Sequence, residues 1–228
     1  MTGATAATTD GIGGNAFEAA EGTADWRVVG DGATAFFAIE SFAASGRFVA
    51  AIADLPGIAE HAPDVDVRRG GVTVRLLTYA DDWYGMSERD LDAARRISGL
   101  AREHGLTADI TGIASFLVVP GALSTAEVFP FWEAVLGYEP RRDSPTEDLV
   151  DPHGRLPGFW FEEMNEARGD GGGAIHVAIW LPHELAEARV EAALAAGGRL
   201  VRNHSPAWWT LADAAGNEAD VATIRQRD

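Results

Sequence analysis

Six histidines and no cysteine define the reactive side chains of this 228-residue chain. Without a thiol there is no cysteine nucleophile, no thiolate metal ligand and no disulfide framework. Imidazole is left to carry acid/base work, because its ordinary pKa lies near neutrality. His61 stands in Glu60-His61-Ala62-Pro63 after a helix end, where a plain solvated polar residue is the alternative. His104 falls at a helix end and His183 at a helix start, while His153 and His204 are placed on loops. His176 differs from these. In Ala174–Trp180, Ile175, Val177 and Ile179 form one apolar face, which sets His176 and Trp180 on the other. By the same parity Glu218 and Asp220 share a face of the last strand.

The elements that must position these groups can be read from pattern and punctuation. Trp26–Val29 and Ala33–Ile39 are strands around the turn Gly30-Asp31-Gly32, and Ser41 caps a helix carrying Phe42, Phe48, Val49 and Ile52 on one face. That helix ends near Leu55-Pro56-Gly57, Asp64 and Asp66 read as a solvated acidic loop, and Val72–Thr78 is a β-branched strand. Ser87 caps a second helix with Asp90 at its third position, an Asp form of the capping box, and Leu91, Ala94, Ile97, Leu100 and Ala101 make its apolar face. Gly105–Ala108 is the seam.

Beyond the seam the pattern restarts with a strand at Ile113–Val119, where only Ser115 is polar, and a helix at Thr125–Leu136 between Ser124 and Gly137. Strands are expected near Leu149-Val150, at Gly158–Glu163 and at Ala174–Trp180, then a helix at Glu184–Ala196. Strands at Arg199–Arg202, Trp208–Leu211 and Glu218–Thr223 finish the chain. Strand, helix and strands occur twice, which reads as an internal structural repeat. Gly169–Gly173 is a flexible loop. The fold class is α+β, with a flexible leader at 1–24, a first domain at 25–105 and a second at 109–226.

Composition bounds the partners. A formal charge of -17 argues against nucleic acid and against an anionic membrane surface. No apolar run reaches the roughly 18 residues of a bilayer span, and the first residues lack a secretory pattern, so the expected location is cytoplasmic. The Gly-rich segments include no Gly-Lys-Ser/Thr, so none is a P-loop.

Two resemblances add to this reading. Glu60-His61-Ala62-Pro63, Tyr79 and Ser87-Glu88-Arg89-Asp90 resemble the active-site segment of pterin-4a-carbinolamine dehydratases, which carry His-His-Pro, a later Thr-His, and Ser/Thr-Glu-Arg-Asp opening a helix. Ala62 and Tyr79 stand where that family has its second and third histidines. Phe131–Tyr138, Asp151-Pro152-His153-Gly154-Arg155 and Leu211–Glu218 resemble the vicinal-oxygen-chelate, or glyoxalase/bleomycin-resistance-like, superfamily of paired βαβββ repeats. The resemblance to such fusions implies a high-GC bacterial source, and the scarcity of Lys agrees.

The first resemblance implies a 4a-hydroxytetrahydropterin dehydratase-type lyase in which His61 is the remaining acid/base. Tyr79 would be a hydrogen-bonding partner, Asp90 the terminal acidic position, and Trp26 and Pro63 substrate-binding residues. Two lost histidines imply a diverged, polar cyclic substrate of specialised metabolism. The second resemblance implies a cup in which Glu162, His176 and Asp220 hold one divalent metal, or which binds no metal and takes a planar ligand on Trp160 and Trp180. Two alternatives stay open: metal-dependent lyase, isomerase or oxygenase chemistry in that cup, and non-catalytic small-molecule binding or resistance. Both families commonly self-associate, so a homo-oligomer is expected.

Overall fold

The computed structural model describes residues 11–80, 83–164, 175–212 and 218–226. The chain divides into two compact units, one of Met1–Arg27 and Asp31–Asp109, the other of Val28–Gly30 and Ile110–Asp228.

The first unit opens on β1 (Gly11–Ile12) and the short helix α1 (Gly14–Ala19); β2 (Arg27–Val29), whose Val28 and Val29 count with the second unit, precedes β3 (Gly32–Ala38). Helix α2 (Phe42–Ala53) starts where Ser41 accepts a hydrogen bond from the Ala44 N–H, at 3.1 Å. A single 3-10 turn, Ile58–His61, leads into β4 (Asp64–Arg68) and β5 (Gly71–Leu76). The hairpin β6 (Thr78–Ala80) and β7 (Trp83–Ser87) then feeds helix α3 (Glu88–Glu103). Strands β3, β5 and β4 pair antiparallel, with Phe37 opposite Val72 and Ala35 opposite Val74. That inward face is wholly buried with Phe48 of α2 and Ile97 and Ala94 of α3. The ring of Phe37 meets Phe48 edge-on at 5.2 Å. The alternate residues Thr73 and Arg75 lie on the other face of β5.

Several expectations are corrected here. The leader is folded from Gly11 onward: β1 pairs with β7, Phe17 is fully buried, and Thr23 donates to the Phe17 and Ala20 carbonyls. Its composition hid one aromatic anchor, Phe17, which with Gly14 is the buried part of a six-residue helix. Phe42, placed on the apolar face of α2, is 79 % exposed, because the buried stripe runs through Ser45, Phe48 and Ile52. Asp64 and Asp66 belong to strand β4, where alternation puts their carboxylates outward. Trp26, expected to bind substrate, has no exposed surface and its indole N–H donates to Ser98 Oγ at 3.0 Å. It is a core residue.

The second unit runs β8 (Ser115–Ala122), α4 (Thr125–Leu136), β9 (Glu139–Arg141), β10 (Ser144–Val150), β11 (Gly158–Trp160) and β12 (Glu162–Glu163). It then repeats as β13 (Ile175–Trp180), α5 (His183–Ala195), β14 (Arg199–His204), β15 (Trp208–Ala212) and β16 (Glu218–Ala222). The sheet order is β14-β15-β16-β13-β8-β11-β10-β9, with β12 beside β8, so the first strands of the two repeats pair antiparallel at the centre. Each helix covers its own half. Phe129, Tyr138, Leu149, Phe159 and Phe161 pack under α4, and Leu181, Ala186, Val190, Trp209, Leu211 and Val221 under α5. Trp132 joins the α4 core, 5.3 Å from Phe159. The chain stops α4 at Gly137, whose φ of 65° suits a residue without Cβ.

His204 ends strand β14 and stacks on Trp208 at 4.4 Å, rather than lying on a loop. His153 does lie on a loop, with its N–H held by Asp151. His183 is the first residue of α5 and His104 caps the end of α3, as their positions implied. The Gly169–Gly173 loop falls outside the described residues.

Candidate active site

His61 is delivered by a turn that the sequence builds tightly. Gly57, at φ 75°, takes a left-handed conformation that any Cβ would disfavour, and Ile58 anchors the 3-10 turn in the core. The guanidinium of Arg96 on α3 donates to the Pro56 carbonyl and ties the turn to that helix. His61 is thereby set against the first turn of α3, and its Nε2 lies 2.6 Å from Asp90 Oδ1.

Asp90 is the hub. It has no exposed surface, yet both carboxylate oxygens are occupied. Oδ2 accepts from the Ser87 N–H at 2.7 Å, from Thr78 Oγ1 at 2.6 Å and from Ser87 Oγ at 3.0 Å. Burial works to raise the pKa of this acid, but the hydrogen bonds from His61, Thr78 and Ser87 and the charge of His61 outweigh it and hold the pKa below the usual aspartate value. Asp90 is therefore ionised at neutral pH. An ionised carboxylate only accepts, so the shared hydrogen belongs to His61 Nε2, and Nδ1 is the nitrogen that exchanges protons. The His61 side chain keeps 17 % of its surface exposed, so a ligand can reach it.

Asp90 thus does two jobs at once. It completes the N-terminal cap of α3 and it orients an imidazole, as the acid of a His–Asp pair does. The capping pattern was evident from Ser87 and Asp90 alone. The contact with His61, 29 residues away, was not, and neither were the supporting hydroxyls of Thr78 and Ser87.

Tyr79 follows Thr78 on β6 and takes the opposite direction: Thr78 is buried, Tyr79 is 52 % exposed. Its ring meets Tyr84 of β7 edge-on at 5.0 Å, across the register pair Tyr79–Tyr84. Burial raises the Tyr79 pKa, against the lowering influence of Arg75, so it remains a phenol. Burial raises that of Tyr84 further still. Arg75, the cation beside them, lies 3.7 Å from Asp64 across β4 and β5. Tyr84 escaped the sequence reading because the hairpin itself was not foreseen, and Arg75, on a strand that was expected, because no motif marks it. Pro63 is half-buried where the His61 turn enters β4, and Ala62 is exposed. Asp81 and Asp82, between β6 and β7, lie outside the described residues.

In the second unit, the expected cup residues fall on separate rungs. Glu162 stands opposite Gly121 on β8, His176 opposite Val119, and Asp220 opposite Ala178, itself opposite Leu117. The His176 side chain is outside the described residues, and among the described ones no three His, Asp or Glu side chains converge as a metal site would require. Trp160 follows Phe159, which pairs with Val118, whereas Trp180 pairs with Ser115. Four residues of β8 separate those rungs, roughly 13 Å. One small planar ligand does not stack on both.

The chain was compared with known proteins. Residues 15–100 match the family described as pterin 4 alpha carbinolamine dehydratase, and residues 118–222 the one described as glyoxalase-like domain. A relative from Nocardia farcinica, named as a pterin-4-alpha-carbinolamine dehydratase, is 38 % identical over 78 residues, covering 34 % of this chain and 80 % of the relative. A relative of the same name from Thermosynechococcus vestitus is 37 % identical, over 33 % of this chain and 78 % of the relative. Among solved structures, a glyoxalase/bleomycin resistance protein/dioxygenase superfamily member from Vibrio splendidus aligns at 16 % identity, over 48 % of this chain and 99 % of that one, with a TM-score of 0.32.

Proposed function

The chain belongs to the pterin-4a-carbinolamine dehydratase family, and from that premise we propose that its first domain is a dehydratase-type lyase diverged in substrate, with His61 as its acid/base and Asp90 as the group that positions it. The observation that carries this reading is the 2.6 Å contact between His61 and an Asp90 that is wholly buried and fully hydrogen-bonded. A hydroxyl on a ring carbon leaves as water when an acid protonates it. The carbon–oxygen bond breaks, the adjacent ring N–H gives up its proton, and its electron pair forms the carbon–nitrogen double bond. Nδ1 of His61 can supply one of these transfers and recover its proton in the other.

Divergence is proposed because the family's second and third histidines are Ala62 and Tyr79 here. Alanine offers no proton. Tyr79, held as a phenol beside Tyr84, donates a hydrogen bond but does not accept a proton near neutrality. Each well-placed acid or base contributes about 10²–10⁴-fold, so a pterin carbinolamine should turn over slowly. The test is dehydration of 4a-hydroxytetrahydropterin by the parent and by Ala62→His/Tyr79→His. Activity gained by the double variant over a near-inactive parent supports divergence; full activity in the parent refutes it.

A second reading rests on the rungs of Glu162 and His176, opposite Gly121 and Val119 of β8, and of Asp220, opposite Ala178, which itself faces Leu117; these three β8 positions alternate on one side of the sheet. In it those three residues hold a divalent ion that would supply Lewis-acid chemistry. Elemental analysis of the full chain and of Glu162→Ala/Asp220→Ala decides it: near one metal per chain, lost in the variant, is required.

A further inference from the structure

Strand β1 lies along β7 with Gly11 opposite Ser87 and Ile12 opposite Met86. On the other side of β7, Thr78 of β6 stands opposite Gly85. Directly opposed residues share a face of a sheet, and so do alternate residues of one strand. Gly11, Thr78, Trp83, Gly85 and Ser87 therefore lie on one face of this three-stranded sheet. The half-buried Trp83 folds back along β7, because its indole N–H donates to the Met86 carbonyl at 2.9 Å. The ring passes close over both glycines. A Cβ on Gly11 would sit 2.7 Å from it, nearer than real carbons approach, and one on Gly85 would press on it at 3.1 Å.

The same face holds the hydroxyls of Thr78 and Ser87, which lie within hydrogen-bond distance of Asp90 Oδ2. Ser87 also donates its backbone N–H to that oxygen. We propose that β1 and Trp83 form a strap that positions the His61–Asp90 pair, with Gly11 the residue that lets the strap close. This rests on the reading of that pair as the acid/base of the domain. A buried carboxylate stays ionised only while its donors are fixed and water is kept from them. Pairing with β1 fixes the Ser87 backbone, the indole spans the two glycines, and the wholly buried Phe17 anchors the segment that follows β1. A shift of the strap moves the donors of Asp90, and the imidazole moves with the carboxylate.

The test is NMR of the full chain, reading the His61 nitrogens together with amide hydrogen exchange at Ser87 and Phe48. Gly11→Ala and Trp83→Ala should each lower the share of hydrogen held on Nε2 and speed exchange of the Ser87 N–H about ten-fold. Phe48, buried on α2, should keep its protection, which separates a local loosening from a general loss of stability. Gly46→Ala, where a Cβ meets nothing within 4 Å, should change neither readout. Since both changes act through the indole, the double variant should be no worse than Trp83→Ala alone. If Gly11→Ala unfolds the domain, Gly85→Ala applies the same pressure more gently and takes its place. The strap is overturned if the His61 nitrogens and Ser87 exchange are unchanged, if the two effects add, or if Phe48 loosens in step with Ser87 even in Gly85→Ala. A wild-type Nε2 without a hydrogen sinks the acid/base reading and the strap with it. An Nε2 that keeps its hydrogen in every variant leaves that reading standing and removes only the strap.

Discussion

At His61 the chemistry turns on which nitrogen holds the hydrogen, and Asp90 decides it. Asp90→Asn keeps the size and much of the hydrogen bonding, but an amide can present its N–H to Nε2 and favour the wrong tautomer. Turnover of the domain's substrate should fall about 10²–10⁴-fold with little change in KM, which steady-state kinetics would check. His61→Ala should cost at least as much, and the double variant little more, because the pair acts as a unit. Tyr79→Phe should behave differently. Since burial holds Tyr79 above the ordinary tyrosine pKa, no limb of a pH–rate profile below about 10 belongs to it, and removing the hydroxyl should change KM rather than the profile's shape.

Among the elements, the first turn of α3 and the short helix α1 make sharp predictions. Ser87→Ala removes a hydroxyl whose oxygen lies 3.0 Å from Asp90 Oδ2 and 2.7 Å from Thr78 Oγ1, so the helix should lose about 1 kcal/mol in denaturant unfolding and His61 should become less ordered. Phe17→Ala should cost about 3–5 kcal/mol, because the side chain is fully buried; no measurable loss would return the segment to a loose leader. These two elements also mark what the sequence could and could not tell. The α3 start was legible from Ser87 and Asp90, since a cap is local and its residues sit three apart. So were the repeat of strand, helix and strands and the stops at Gly57 and Gly137. The fold of the leader was not, because one Phe among Gly, Ala and Thr has no periodicity to read. The β6–β7 hairpin was missed for a similar reason: its pairing joins Tyr79 to Tyr84 without a strong turn dipeptide. Within the site, His61, Tyr79 and Asp90 were each identified, but their grouping depends on a tertiary contact, which separates Tyr79 from the other two.

For the whole molecule, charge and pH give a signed prediction. The chain carries a formal charge of -17, and its buried Asp90 has a folded-state pKa below its unfolded one. Such a group contributes stability that is fully present above the unfolded aspartate value, about 3.9, and is lost as pH falls through the lower folded value. Acid unfolding of the wild type should therefore steepen below about pH 4. The stability gap between wild type and Asp90→Asn should narrow over the same range, as paired denaturant titrations from pH 7 to pH 3 would reveal. No helix among the described residues is long and apolar enough to cross a membrane.

The most direct test of the account is the nitrogen spectrum of His61, by ¹⁵N NMR of the full chain at neutral pH, with His61→Asn to assign the signal and Asp90→Asn as the comparison. The account predicts a hydrogen held on Nε2, the nitrogen that faces Asp90, with that preference lost in Asp90→Asn. An Nε2 that carries no hydrogen, or a signal averaged between the two nitrogens and indifferent to Asp90, would contradict it.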